Sequence, residues 1–206
     1  SLYVWLLPGY FLGAVICFWW FRWQRWRFRF LIAGGMGCFA LFFGLLYFGV
    51  APNSTYEMLY FPIFIRGLGM LVLIIAFALF AVEDLNPKFL ISNAFFLIVF
   101  RSVLATIMAT SFYSNVLYHL QQKYMYSLSE TLTQVDPLAA SRYSQSLVGN
   151  LSQGHRYEDA VQLATSSLYS TLQQQSLLLA LKEIFGWLFV VTLVIAVVSR
   201  FIPFHK

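Results

Sequence analysis

Charge is what this sequence has least of. Asp, Glu, Lys and Arg together make up 10% of its 206 residues, where a soluble domain carries about 25%. That shortage excludes an ordinary water-soluble globule. Cysteine is scarce as well. Cys17 and Cys38 both fall inside apolar runs, so neither a disulfide framework nor a zinc site is implied. The histidines, His119, His155 and His205, are too scattered for any pair to have metal-ligand spacing. There is no glycine-rich phosphate loop and no serine elbow. A membrane-embedded enzyme would need acids or histidines clustered on one cavity, and the sequence shows no such cluster. An enzyme is therefore not expected, and no cofactor or metal is implied.

What the chain has in abundance is apolar surface. Hydrophobic residues make up 60%, and the 22 Phe, 12 Tyr and 6 Trp suit a bilayer, where rings fill lipid-facing surface and mark the interfaces. Five runs, about residues 2–21, 30–51, 58–82, 89–112 and 177–202, are long enough for a helix crossing a bilayer, which needs about 20 residues. The expected fold is an all-α integral membrane protein with five transmembrane helices. Residues 1–112 carry four of them, 113–176 form a polar, helical extracytoplasmic loop, and 177–206 hold the last helix with a short tail. Pro8, Pro62 and glycines such as Gly34, Gly35, Gly37, Gly44, Gly49, Gly67 and Gly69 would weaken soluble helices. In membranes they are tolerated, because small residues let neighbouring backbones approach.

The net charge of +5 raises the question of nucleic acid, but the placement of the charges favours a bilayer. The hairpin "RWQRWRFR" holds Arg22, Arg25, Arg27 and Arg29 between two apolar runs. Short basic loops stay in the cytoplasm. Alternation then puts "PNSTY" outside, "EDLNPK" inside, the long polar segment outside and the tail "SRFIPFHK" inside. Lys88, Arg200 and Lys206 join the inner arginines, whereas Lys123, Arg142, Arg156 and the borderline Lys182 lie outside. No nucleic-acid partner is expected.

The outer segment is rich in Ser, Gln, Leu and Ala. Asp136-Pro137 and Ser152-Gln153-Gly154 punctuate it. Leu138, Tyr143, Leu147 and Leu151 recur at helical spacing, as do Ala160, Leu163, Ala164, Leu168 and Leu172. These patterns predict extended ends of spans four and five with an amphipathic helix between them, serving either as a contact for a partner protein or as a solvated cap. Asn53-Ser54-Thr55 and Asn150-Leu151-Ser152 match glycosylation triplets, which matter only in a secretory pathway.

Two arginines stand inside the apolar runs. Arg66 lies roughly 12–14 Å below the outer end of span three, and Arg101 roughly 18 Å above the inner end of span four, at 1.5 Å per residue. A mid-bilayer arginine costs at least about 2.5–3.5 kcal/mol, so such residues face a bundle interior or water-filled cavity and pair with acids or carbonyls. Glu57 and Glu183 near the outer span ends complete the candidate set for substrate contact or proton coupling. Arg66 is expected on the inward face of its span, where Gly67 and Gly69 admit another helix. The bland alternative is that each arginine merely bonds carbonyls of a neighbouring helix.

At these residues the chain resembles a known family. "YFPIFIRGLGM" is similar to the helix with a Pro-x-x-x-Arg-Gly-x-Gly pattern in the fourteen-helix drug:proton antiporters of the major facilitator superfamily, the Emr-type multidrug exporters. The acidic inner loop "EDLNPK", the helix "ISNAFFLIVFRSVLATIMATSF", the long polar outer loop ending in "STLQQQSLLLALKEIF" and the last helix with its basic tail follow in the family's order. The resemblance covers most of the chain and is strongest from about residue 60 to 204. It implies most of the C-terminal half of a major-facilitator fold, with Arg66 and Arg101 matching the family's two arginines. It also implies export of small amphipathic or lipophilic compounds in exchange for protons, in a multi-pass protein of the bacterial inner membrane with its C-terminus in the cytoplasm. The implied partners are the lipid bilayer, the N-terminal half of the same transporter, a periplasmic adaptor and an outer-membrane channel. The chain begins at Ser1 within an apolar run, so a C-terminal piece of a longer protein is expected, with the proton-carrying acids of the first half elsewhere. "FFLIVFR" is bulkier than the family's polar run before the arginine. The competing expectation is a self-contained five-helix scaffold or accessory subunit of a membrane complex.

Overall fold

Long apolar runs without strand-forming alternation have one way to satisfy every backbone group in lipid, and that is to coil into helices. The computed structural model describes residues 2–23, 28–51, 56–83, 87–133, 137–154 and 156–201. Among these it contains helices and no strand. The basic residues Arg25 and Arg27, the Asn53 triplet, Asp84, Asp136, His155 and the tail from 202 onward lie outside the described residues.

A 3-10 turn, Leu2–Trp5, leads into α1 (Leu6–Trp23), and α2 spans Phe28–Gly49. A second 3-10 turn, Tyr56–Leu59, opens α3 (Tyr60–Glu83). After a third, Pro87–Phe89, come α4 (Leu90–Val99), a π segment (Phe100–Ala105) and α5 (Thr106–Thr133) in one unbroken helical course. The described residues end with α6 (Pro137–Ser152) and α7 (Tyr157–Phe201). Among the described residues, four stretches are long and apolar enough to cross a membrane: Phe30–Gly49, Glu57–Ala81, Ile91–Glu130 and Tyr157–Phe201. The apolar helix Leu6–Arg22 is shorter.

Two compact units divide the chain. The first comprises Ser1–Met108 and Lys182–Lys206. In it α3 is flanked by α1 and α2. Trp5 stacks on Tyr60 at 5.1 Å and the Tyr10 hydroxyl reaches Met70 Sδ at 3.3 Å, so α1 and α3 run parallel. Helix α2 runs antiparallel to α3, Gly35 lying by Leu73 and Cys38 by Gly69. Lys182–Phe201 of α7 runs antiparallel to α2. Arg200 stands over the Phe30 ring at 6.0 Å, and Phe185 stacks on Phe43 at 6.4 Å. The core where α1, α2 and α3 meet is made of Cys17, Leu31, Ile32, Val72 and Ala76, with Trp20, Phe21 and Leu73 packed against it. Lipid gives apolar helices no hydrophobic reason to associate, so close van der Waals packing must hold them.

The second unit, Ala109–Leu181, is more polar. Its small residues Ala160, Ala164, Ser176 and Ala180 are fully buried on one helix, α7. Ser146 and Ser167 share a hydrogen bond of 3.2 Å between α6 and α7. Most other hydroxyls of α7 turn back onto their own helix, as Thr165 to Val161, Ser167 to Ala164 and Ser176 to Gln173. Serine and threonine can satisfy their hydroxyls in this way on their own helix. Gly154, at φ +89°, makes the turn out of α6, a backbone conformation that costs glycine little.

Candidate functional site

The site builds outward from α3. From Phe61 to Val82 this helix is apolar except where Arg66 interrupts it. The neighbouring glycines face opposite partners. A Cβ on Gly67 would come within 2.9 Å of the Leu6 carbonyl oxygen of α1. A Cβ on Gly69 would come within 2.8 Å of Cys38 Cβ and 3.0 Å of the Gly35 carbonyl oxygen of α2. Two residues on a helix are about 200° apart in azimuth, so this pair gives α3 two tight seams on opposite sides. Gly9 and Gly13 of α1 answer on the first seam. A Cβ at Gly9 would collide with the Phe64 carbonyl oxygen, and one at Gly13 would lie 3.1 Å from that of Leu68.

Arg66 is exposed on the surface of this unit, and its guanidinium carbon stands 5.8 Å from the centre of the Phe42 ring on α2. Phe42 is buried and packs on Phe43 at 5.0 Å, so the ring is a fixed platform. A cation over an aromatic face gains about 0.5–1 kcal/mol when exposed and about 2 or more when desolvated.

Arg101 lies in the π segment, also exposed, and its carbonyl accepts a 3.2 Å hydrogen bond from Thr106 Oγ1. Glu57 is exposed in the 3-10 turn before α3, and Glu183 is half-buried on α7. Arg66, Arg101 and Glu57 share no hydrogen bond or ion pair with one another among the described residues. The candidates are thus distributed along three helices rather than gathered into one pocket. The two arginines share a chemical property: each is a guanidinium group inside an apolar stretch, the acid on α3 with Arg66 being Glu83, at the far end of that helix, and the acid nearest Arg101 along its helical course being Glu130, near the end of α5. No group of three His, Cys, Asp or Glu side chains able to hold a metal occurs among those residues.

Of three further features of the site, one has a sequence signal and two have none. The Gly9-x-x-x-Gly13 spacing is a signal for close helix approach and identifies the α1 side of the first seam. Phe42 is one of 22 phenylalanines and nothing local distinguishes it. The π segment has no proline or glycine to announce it. Gly34, Gly37 and Gly49 face open space, with no atom within 4 Å of a Cβ placed there. Comparison with protein-family models, with curated proteins and with solved structures gives no match to this chain.

Proposed function

We propose that the chain is the C-terminal segment of a secondary active multidrug efflux transporter, which exports amphipathic or lipophilic compounds in exchange for protons across a bacterial inner membrane. Five helices cross the bilayer in this reading, α1 being the fifth beside the four longer ones. The basic hairpin after α1 and the C-terminus are cytoplasmic, and the polar unit is on the outer side, where it contacts a periplasmic adaptor. The observation that carries the reading is Arg66: a cation on a membrane-length apolar helix, bracketed by two glycine seams and seated on the Phe42 ring. A charge kept at this depth against its insertion cost is a functional residue by default. Its exposed side is the surface on which the N-terminal half of the transporter packs, and on which substrate or a proton-carrying acid meets it. The resemblance of "YFPIFIRGLGM" and of the segments after it to the Emr-type exporters supplies the reaction class.

Substitution at Arg66 tests the proposal. Arg66→Met removes charge and donors and spares an insertion cost of at least about 2.5 kcal/mol, so the protein should insert no worse. Drug extrusion from cells expressing the full-length protein should nevertheless collapse. Arg66→Lys keeps the charge but loses the planar five-donor fork, and should impair extrusion where paired hydrogen bonds matter. Well-inserted Arg66→Met protein that exports at the wild-type rate would reduce Arg66 to a tolerated residue.

A further inference from the structure

Phe100–Ala105 is a π segment in the middle of an otherwise regular helical course. A single wide turn absorbs one extra residue, so everything before it is turned by about 100° relative to a continuous α-helix. Sharp departures of this kind normally trace to proline, to glycine pairs or to an inserted group. Here the sequence from Lys88 to Asp136 contains neither proline nor glycine. Packing does not impose the turn either, since every residue from Ala94 through Asn115 is exposed. Its visible support is local. Thr106 Oγ1 donates to the Arg101 carbonyl five residues back, at 3.2 Å. Upstream, Asn93 Nδ2 donates to the Ala81 carbonyl at the end of α3, at 3.2 Å, which fixes the azimuth of α4 against its neighbour.

Moving to a regular α-turn gives up two hydrogen bonds, Thr106 to Arg101 and Asn93 to Ala81, a gap small enough to leave both registers populated. We propose that Phe100–Ala105 is a register switch, alternating between this wide turn and a regular one and thereby turning α4 relative to the start of α5. The geometry fixes what changes. In the wide register Asn93 occupies the place against Ala81. In the regular register the next residue, Ala94, takes that place, and Arg101 moves about 100° around the helix axis. Arg101 sits inside the moving turn, so its guanidinium is presented to two different surroundings. This inference goes beyond the transport reading and stands on helix geometry whether or not the protein is an exporter.

Disulfide trapping distinguishes the registers, because a disulfide forms only when Cβ atoms are about 3.5–4.5 Å apart. In a Cys17→Ala, Cys38→Ala background, the full protein in native membranes would carry Ala81→Cys with either Asn93→Cys or Ala94→Cys, and would be oxidised with copper-phenanthroline. Both pairs should cross-link. Deleting Val103 shortens the wide turn into a regular one while leaving Asn93 in place. The 81–94 product should then vanish and the 81–93 product persist. Thr106→Val removes the hydroxyl that supports the wide turn and should raise the 81–94 to 81–93 ratio about two- to tenfold. A wild-type 81–94 yield no higher than in the deletion variant would overturn the switch in favour of a fixed π turn. An 81–94 product without any 81–93 product would overturn it in favour of a plain α-helix. Should the deletion variant fail to insert, an unchanged ratio in Thr106→Val would overturn it as well.

Discussion

Gly9→Ala is the smallest change with a large calculable effect. The added Cβ meets the Phe64 carbonyl oxygen, lies 3.1 Å from the Leu68 nitrogen and lies 3.3 Å from Gly67 Cα. All three are backbone atoms of α3, so no side-chain rotation makes room. Helix α1 must retreat by about 1 Å to restore ordinary contact. Overpacking of this kind costs about 1–3 kcal/mol, and the retreat thins every contact along the seam. The structure carries its own reporter. Cys17 is 2% exposed and sits in the core formed with Leu31, Ile32, Val72 and Ala76. In a Cys38→Ala background, its reaction with a membrane-permeant maleimide measures how often α1 lifts away. A loss of about 1–3 kcal/mol corresponds to about a 5- to 150-fold faster reaction. Gly34→Ala is the control, because nothing lies within 4 Å of its Cβ position. If Gly9→Ala labels no faster than Gly34→Ala, the glycine seam does not hold α1 in place.

Two further outcomes are open to measurement. A cysteine replacing Arg25 should react with membrane-permeant reagents only, and one replacing Gln153 with impermeant ones added to intact cells; the reverse pattern would overturn the orientation. Ala164→Leu, at a fully buried position of α7, should cost about 1–3 kcal/mol and speed proteolysis within residues 109–181, whereas Leu163→Ala at an exposed position should stay within about 0.5 kcal/mol of wild type. Equal cleavage rates in the two variants would refute the packing assigned to Ala164.

The helical, membrane-length character of the chain is legible in run length alone, because an unbroken apolar stretch such as "MLVLIIAFALFAV" has no other structure that satisfies its backbone in lipid. Azimuth is not legible. Helix α3 is apolar all round, and a periodic pattern needs contrast between faces before it says which side turns inward. Nothing in the letters shows that Gly67 meets α1 while Gly69 meets α2, or that Arg66 rests on Phe42. Hydropathy falls at Ser114 and Asn115, yet α5 continues to Thr133, since polarity ends a membrane span without breaking a helix. The π segment is hidden for the opposite reason: its residues are ordinary helix formers, and only the backbone records the extra residue. Arg66 and Arg101 are conspicuous in sequence because charge in apolar surroundings is rare, and their places on two successive spans are legible too, but what each one touches is a property of the fold.

The two tight seams also set an order of events during synthesis. A ribosome delivers α1 and α2 before α3, and those helices meet each other directly where Trp20 faces Phe30, ring centres 6.3 Å apart. Their glycine contacts, Gly9 and Gly13 on one side and Gly35 on the other, all wait for partners on α3. The α1–α2 hairpin therefore enters the bilayer with these glycine surfaces still without their α3 partners. Emergence of the Arg66-Gly67-Leu68-Gly69 stretch completes both seams nearly at once. Arg66, whose charge is costly to release into lipid, leaves the insertion machinery in the same few steps as the glycines that clasp the earlier helices together.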